Sequence, residues 1–167
     1  LELLPAFLFN LFIFKEKKRL RKLRKEVIEQ LQIPVPYFTA LKKGIDYTAP
    51  NGQVYKNADL TIDSDQPKSY AYCSDTLYGE QYFEQIANAT LLYHEATFLN
   101  EMLDRANDTF HTTALQAGDV ALKTNAKRLL IGHFSARYKT LTELLDEAKS
   151  IFPATELAIE GRTFCIE

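Results

Sequence analysis

A chain of 167 residues with 46% hydrophobic content is long enough to bury a core and amounts to one domain or part of a larger one. Its net charge of −2 gives no whole-chain signal for a nucleic-acid partner. Two cysteines, Cys73 and Cys165, neither in a CxxC pair, are too few for a disulfide framework, so buried, reduced thiols of a cytoplasmic protein are expected.

The first segment, Leu1 to Phe14, is strongly apolar but interrupted by Glu2, Pro5 and Asn10. It is shorter than the roughly 20 apolar residues a membrane helix needs. Its positive charge follows the apolar run, whereas a signal peptide carries it in front. The segment reads as a buried strand separated from an upstream context, or else as an interfacial anchor with a basic flank. Lys15 to Lys25 then holds eight of the 20 basic residues, leaving the rest of the chain acidic. Such a run is a solvated helix face or a phosphate-binding patch. Leu20, Leu23, Val27, Ile28 and Leu31 recur at spacings of three and four, which predicts a helix from Lys17 to Leu31, ended by Pro34 and Pro36. Residues 37–69 are mixed. Asn51-Gly52 marks a turn between extended pieces at Asp46–Ala49 and Gln53–Tyr55, and Asp63 to Lys68 is a polar loop.

From Ser69 the rhythm is β-α. Strands are expected at Ser69–Ser74, Thr90–Tyr93, Leu129–Gly132 and Leu157–Glu160. Helices are expected at Glu80–Ala87, Ala114–Ala126 and Leu141–Ser150, with Thr112 or Thr113 at the N-cap of the second. This alternation implies an α/β fold, a mixed sheet with covering helices. Two segments follow: residues 1–68, with the apolar strand, basic helix and hairpin, and residues 69–167, whose β-α repeats carry the motifs below.

All three histidines of the chain lie in the second segment, each in a short polar motif: His94-Glu95-Ala96-Thr97, His111-Thr112-Thr113 and His133-Phe134-Ser135-Ala136-Arg137-Tyr138. Asp75 sits in Tyr72-Cys73-Ser74-Asp75-Thr76. Asp75, His94 and His133 each follow an expected strand, where open α/β sheets place their ligands. Singly, each has a plain reading. Asp75 is a turn residue, His133 a hydrogen-bonded buried histidine, His94-Glu95 an exposed polar pair, and His111 a flank to a helix N-terminus. Together they suggest one active site.

The stretch from about Ser69 to Ile159 resembles the C-terminal part of the ribonuclease Z family, tRNA 3′-processing endoribonucleases of the metallo-β-lactamase fold. Ser74-Asp75-Thr76, His94 to Phe98, His111 to Ala114 with Gln116, His133 to Tyr138 and Phe152-Pro153 carry the resemblance in order and spacing. Ile33-Pro34, Leu41 to Gly44, Asp46 and Asn51-Gly52 extend it more loosely. The His-Glu-Ala-Thr and His-Thr-Thr words argue against another hydrolase of that fold. The resemblance implies half of an αββα sandwich. It makes Asp75 the carboxylate bridging two zinc ions and His133 a terminal zinc ligand. Glu95 and His111 become a hydrogen-bonded catalytic pair, with His111 protonating the leaving 3′ oxygen. Thr112 and Thr113 become a phosphate seat, with Arg137 adding positive charge at the mouth. His94 belongs to the motif without an assigned role. It further implies precursor tRNA as substrate, a homodimer, a cytoplasmic setting and no membrane.

The family's His-x-His-x-Asp-His motif, source of most zinc ligands and of the expected general base, is absent here. A further ligand histidine would fall near Leu3 or Leu4. Only Asp75 and His133 match family ligands, and zinc takes three or four protein ligands per site. The chain is therefore expected to be inactive alone, its other half lying elsewhere in the same product, on another polypeptide, or lost. The alternative expectation is a non-catalytic half-domain that pairs with another chain or binds RNA through its basic helix.

Overall fold

A computed structural model describes residues 10–166 of the chain. Residues 16–67 form one compact unit, and the residues on either side of that span form the other. The expectations placed on Leu3, Leu4 and most of the apolar segment lie outside the described residues.

Strand β1 (Asn10–Lys15) is the described end of the apolar segment. It is a strand as expected, but not a buried one: Phe12 is 54% and Phe14 61% exposed. Their side chains share one face of an edge strand, while Leu11, on the other face, packs against the core.

The unit of residues 16–67 holds β2 (Lys22–Leu23), α1 (Lys25–Gln30), α2 (Phe38–Lys42), β3 (Tyr47–Thr48), β4 (Val54–Tyr55), α3 (Asn57–Leu60) and β5 (Thr61–Ile62). The helix expected from Lys17 shrinks to α1, so the basic run lies mostly outside any helix rather than on a helix face. Tertiary pairing overrides the periodicity. The Arg21 amide donates to the Lys42 carbonyl at 3.0 Å and the Arg24 amide to the Leu60 carbonyl at 2.9 Å, while β2 pairs antiparallel with β5. Those bonds hold the backbone out of helical geometry up to Arg24. Several of the cations are also matched by acids, Arg21 with Asp63, Lys22 with Asp65 and Arg19 with Glu16. Leu23 and Val27 still face inward, onto a small core of Ile28, Ile33, Leu41, Tyr47 and Leu60. The Asn51-Gly52 turn joins β3 to β4 as read, with Gly52 at φ +83°.

The other unit continues with β6 (Ser69–Ser74), α4 (Phe83–Ile86), β7 (Leu91–Glu95), α5 (Leu103–Asp108), α6 (Ala114–Lys123), β8 (Leu129–Gly132), α7 (Thr142–Ile151) and β9 (Thr155–Leu157). Its sheet runs β1-β6-β7-β8-β9, with β1 antiparallel to β6 and the remaining neighbours parallel. This is the mixed sheet with covering helices that the sequence predicts. Alternation along β6 sends Ala71 and Cys73 to one face and Tyr70 and Tyr72 to the other. Registered partners share a face, so Ala71, Leu92 and Leu129 line up, as do Cys73, His94 and Ile131. That face packs against Ala114, Ala117, Val120 and Ala121 of α6 and Leu144 and Ala148 of α7. The small residues let the helices approach closely: a Cβ on Gly118 would lie 2.7 Å from the Ala148 carbonyl oxygen. The opposite face carries Phe12, Phe14, Tyr70, Tyr72 and Tyr93, with Tyr72 and Tyr93 stacked at 4.6 Å.

Helix α6 starts where its cap predicts. Thr113 accepts from the Gln116 amide while the Gln116 side chain accepts from the Thr113 amide, a reciprocal capping box. It ends at Lys123, earlier than expected, because Asn125 turns left-handed at φ +52°. The last strand likewise falls earlier, at Thr155. Cys73 is buried and its thiol is pushed up to about 12 by burial, so it is inert. Cys165 is exposed, contrary to the expectation of two buried thiols.

Candidate metal centre

Parallel strands β6, β7 and β8 bring three polar motifs to their carboxyl ends. Asp75 leaves β6 at φ +51° and His133 leaves β8 at φ +59°, both left-handed and neither glycine. Such a conformation costs about 1–3 kcal/mol and clusters at functional sites. His111 arrives from the loop before α6, directly after Phe110 at φ +58°.

The three side chains converge. One ligand atom from each of Asp75, His111 and His133 lies within 4.8 Å of the others. His133 Nε2 stands 3.3 Å from Asp75 Oδ1, and the two imidazole rings are 5.2 Å apart at their centroids. Two imidazole nitrogens and a carboxylate oxygen are a zinc donor set. Asp75 and His133 alone fall short of the three or four protein ligands that a zinc ion takes, and His111 brings the donors to three only where its ring nitrogen facing the cluster carries no proton. The second oxygen of Asp75 accepts from Asn10 Nδ2 at 3.0 Å, a contact from β1 that nothing in the sequence signals.

Beneath this cluster, fully buried, lies Glu95. The Thr76 amide donates to its carboxylate at 2.6 Å, Thr97 Oγ1 at 2.6 Å, the Thr112 amide at 3.2 Å and His111 Nδ1 at 2.9 Å. The expected Glu95–His111 pair is therefore hydrogen-bonded. A carboxylate only accepts, so the Glu95 bond puts the His111 proton on Nδ1 and points the other ring nitrogen outward. Thr76 and Thr97 join the site through Glu95. Their only trace in the sequence is membership of the two motifs.

His94 departs from expectation. Strand β7 runs through Glu95, so His94 lies within the strand rather than after it, and neither residue is exposed. Pleat alternation turns Glu95 to the site and His94 into the core. Its Nδ1 donates to the Glu95 carbonyl at 2.8 Å and its Nε2 accepts from the Tyr82 hydroxyl at 3.1 Å. Burial lowers its affinity for a proton, and burial likewise pushes the Tyr82 hydroxyl upward. The unfolded chain takes up a proton below about pH 6.5, and the folded chain resists it. Stability from the neutral ring is therefore complete above that pH and declines as pH falls through it, by at most about 1.4 kcal/mol per pH unit. Denaturant titrations of the wild type and His94→Gln between about pH 7.5 and pH 5 check this. The wild type is expected to lose stability faster than the variant, and parallel curves would contradict it.

Thr112 and Thr113 are not open to a phosphate. Both are fully buried. Thr112 donates from its amide to Glu95 and from its hydroxyl to the Thr76 carbonyl, and Thr113 is spent on the capping box. The helix start that suggested a phosphate seat is used to hold the site together. Arg137 is exposed, with its guanidinium 5.0 Å from the Phe98 ring centre, and that ring lies 6.1 Å from His111. It sits beside the cluster without touching it.

No protein-family model matches the chain. Curated relatives do. It is 49% identical to ribonuclease Z of Phocaeicola vulgatus over 156 residues, covering 93% of this chain and 50% of the relative. The ribonuclease Z of Bacteroides thetaiotaomicron is 44% identical over 155 residues, and that of Cytophaga hutchinsonii 45% over 158. The chain spans about half the length of these relatives. Among solved structures, a metallo-β-lactamase fold protein, YhfI of Bacillus subtilis, matches with a TM-score of 0.53 at 26% identity, covering 57% of this chain and 39% of that one. A long-form ribonuclease Z from yeast matches with a TM-score of 0.50 at 32% identity, covering 56% of this chain and 13% of that one. The chain is thus a homologue of ribonuclease Z across about half of that protein's length, and its fold is that of the metallo-β-lactamase proteins.

Proposed function

We propose that this chain forms part of a zinc-dependent endoribonuclease that removes 3′ trailers from tRNA precursors, and that it is inactive without the rest of the centre. The observation that carries the reading is the convergence of Asp75, His111 and His133 at the strand ends of a ribonuclease Z homologue. Asp75 and His133 would hold the metal. Zinc, when bound, supplies a Lewis acid for the scissile phosphodiester. The chain's own part is the proton. His111, charged, keeps Nδ1–H on Glu95 and offers Nε2–H to the departing 3′ oxygen. Glu95 stabilises that imidazolium from below and fixes the plane of the ring. Arg137 adds a cation at the rim for a neighbouring phosphate. With Thr112 and Thr113 buried, they shape the Glu95 pocket instead of binding RNA. A homodimer acting in the cytoplasm belongs to the same proposal. Among the described residues, no helix is long and apolar enough to cross a membrane.

A hybrid tests the reading: this chain replaces the matched span of the Phocaeicola vulgatus relative, and the product meets a precursor tRNA. Cleavage at the 3′ side of the acceptor stem is expected from the hybrid and none from the 167-residue chain alone. A hybrid that folds and holds zinc yet leaves the precursor intact would overturn the proposal.

A further inference from the structure

Helix α5 ends in the loop that delivers His111, and its end carries an unexpected residue. The His111 amide donates to the Ala106 carbonyl at 2.8 Å and the Phe110 amide to the Asn107 carbonyl at 3.2 Å. These are the paired bonds of a helix end closed by one left-handed residue. That residue is Phe110, at φ +58°. Helices α1, α2 and α6 close by the same two bonds, with Gln32, Gly44 and Asn125 at the matching position. Glycine or asparagine is the usual occupant, and a bulky side chain there is a backbone outlier. Phe110 is also 54% exposed, so its ring forgoes much of the gain that burial would give. Both features run against stability, and both fall on the residue before His111. Strain of this kind clusters where a chain meets its ligand.

We propose that Phe110 is a substrate-stacking residue: its ring takes the base of the RNA nucleotide whose 3′ oxygen departs. The inference rests on the nuclease reading above, in which His111 gives a proton to that oxygen, and it adds a contact to the base. Consecutive Cα atoms lie about 3.8 Å apart, so a ring on residue 110 is within one nucleotide's reach of the imidazole on residue 111. The two bonds of the helix end fix the backbone that carries the ring, so little order is lost when a base lands on it. Unstacked bases of single-stranded RNA are taken up on aromatic rings in this way. Every base has a π-face, so the contact holds the departing nucleotide without reading which base it carries.

The test uses the hybrid and a precursor tRNA with 2-aminopurine at the nucleotide on the 5′ side of the cut, whose fluorescence falls on stacking. The unsubstituted hybrid, Phe110→Tyr and Phe110→Gly are compared, first with metal removed to follow binding, then with zinc to follow cleavage. Quenching is expected with the unsubstituted hybrid and with Phe110→Tyr, and is expected to be lost in Phe110→Gly. Glycine relieves the left-handed strain as it removes the ring, so this variant is expected to fold. Its kcat/KM should fall about 10- to 100-fold, and that of Phe110→Tyr little. On a precursor made abasic at that nucleotide, Phe110→Gly and the unsubstituted hybrid should cleave alike. Equal falls on the two precursors would give the ring a structural role and overturn the proposal. So would quenching that survives in Phe110→Gly. An unsubstituted hybrid that does not bind the precursor, or binds it without quenching, overturns it even if the glycine variant fails to fold. Quenching as expected in a hybrid that cuts no precursor would support the stacking contact and overturn the nuclease reading alone.

Discussion

Replacing Glu95 with Ala is expected to cost the folded chain about 3–5 kcal/mol, in the lower part of the range that three orphaned buried donors at about 1–3 kcal/mol each imply. The reason is the number of donors that depend on one carboxylate. Two amides, a hydroxyl and an imidazole end on it, from Thr76, Thr112, Thr97 and His111. The two amides and the Thr97 hydroxyl would be left in a buried pocket, and each orphaned buried donor carries its own desolvation penalty of about 1–3 kcal/mol. Glu95→Gln should also destabilise, because an amide nitrogen cannot accept and would face donors. Urea titrations near neutral pH read the loss as a lower midpoint with an unchanged slope. A change below about 1 kcal/mol would mean that Glu95 is not the hub described above.

In the hybrid enzyme, His111→Ala is expected to lower kcat about 100- to 10,000-fold with little change in KM, the range for losing a positioned general acid. The geometry supports a role in the chemical step. The ring is held by Glu95, its free edge faces His133 and Asp75, and its side chain keeps 22% exposure, enough to meet a departing oxygen. The variant removes only one of the Glu95 donors, so its stability should suffer far less than that of Glu95→Ala. A large fall in kcat with near-normal stability separates chemistry from folding. A variant that cleaves at the wild-type rate would take His111 out of the proton-transfer role.

The strands that build the site were plain in the sequence because they are short apolar runs bounded by turn residues. Ser69–Ser74 and Leu129–Gly132 fall where expected, as does the Thr113 cap, whose signal is local. Long-range pairing was not visible. The apolar spacing from Leu20 to Leu31 suits a helix, yet β5, far away in sequence, captures Lys22 and Leu23 into a strand through Ile62 and Thr61. One further pair of residues on β7 decides the fate of His94. A strand ending at Tyr93 would free it, whereas a strand running through Glu95 buries it. The motifs named Asp75, Glu95, His111 and His133. They could not show that Thr112 and Thr113 serve the pocket wall, nor that Thr97 and Asn10 touch the cluster, because those contacts depend on how three strand ends are brought together.

The central claim, that Asp75, His111 and His133 form part of a metal centre, is tested most directly by zinc binding to the hybrid, in which this chain is joined to the rest of the relative. Calorimetric titration of the hybrid, with its His133→Ala form beside it, is predicted to show zinc bound in the first and less zinc bound in the second. A hybrid that folds and binds no zinc, or a variant that binds it unchanged, would contradict this claim.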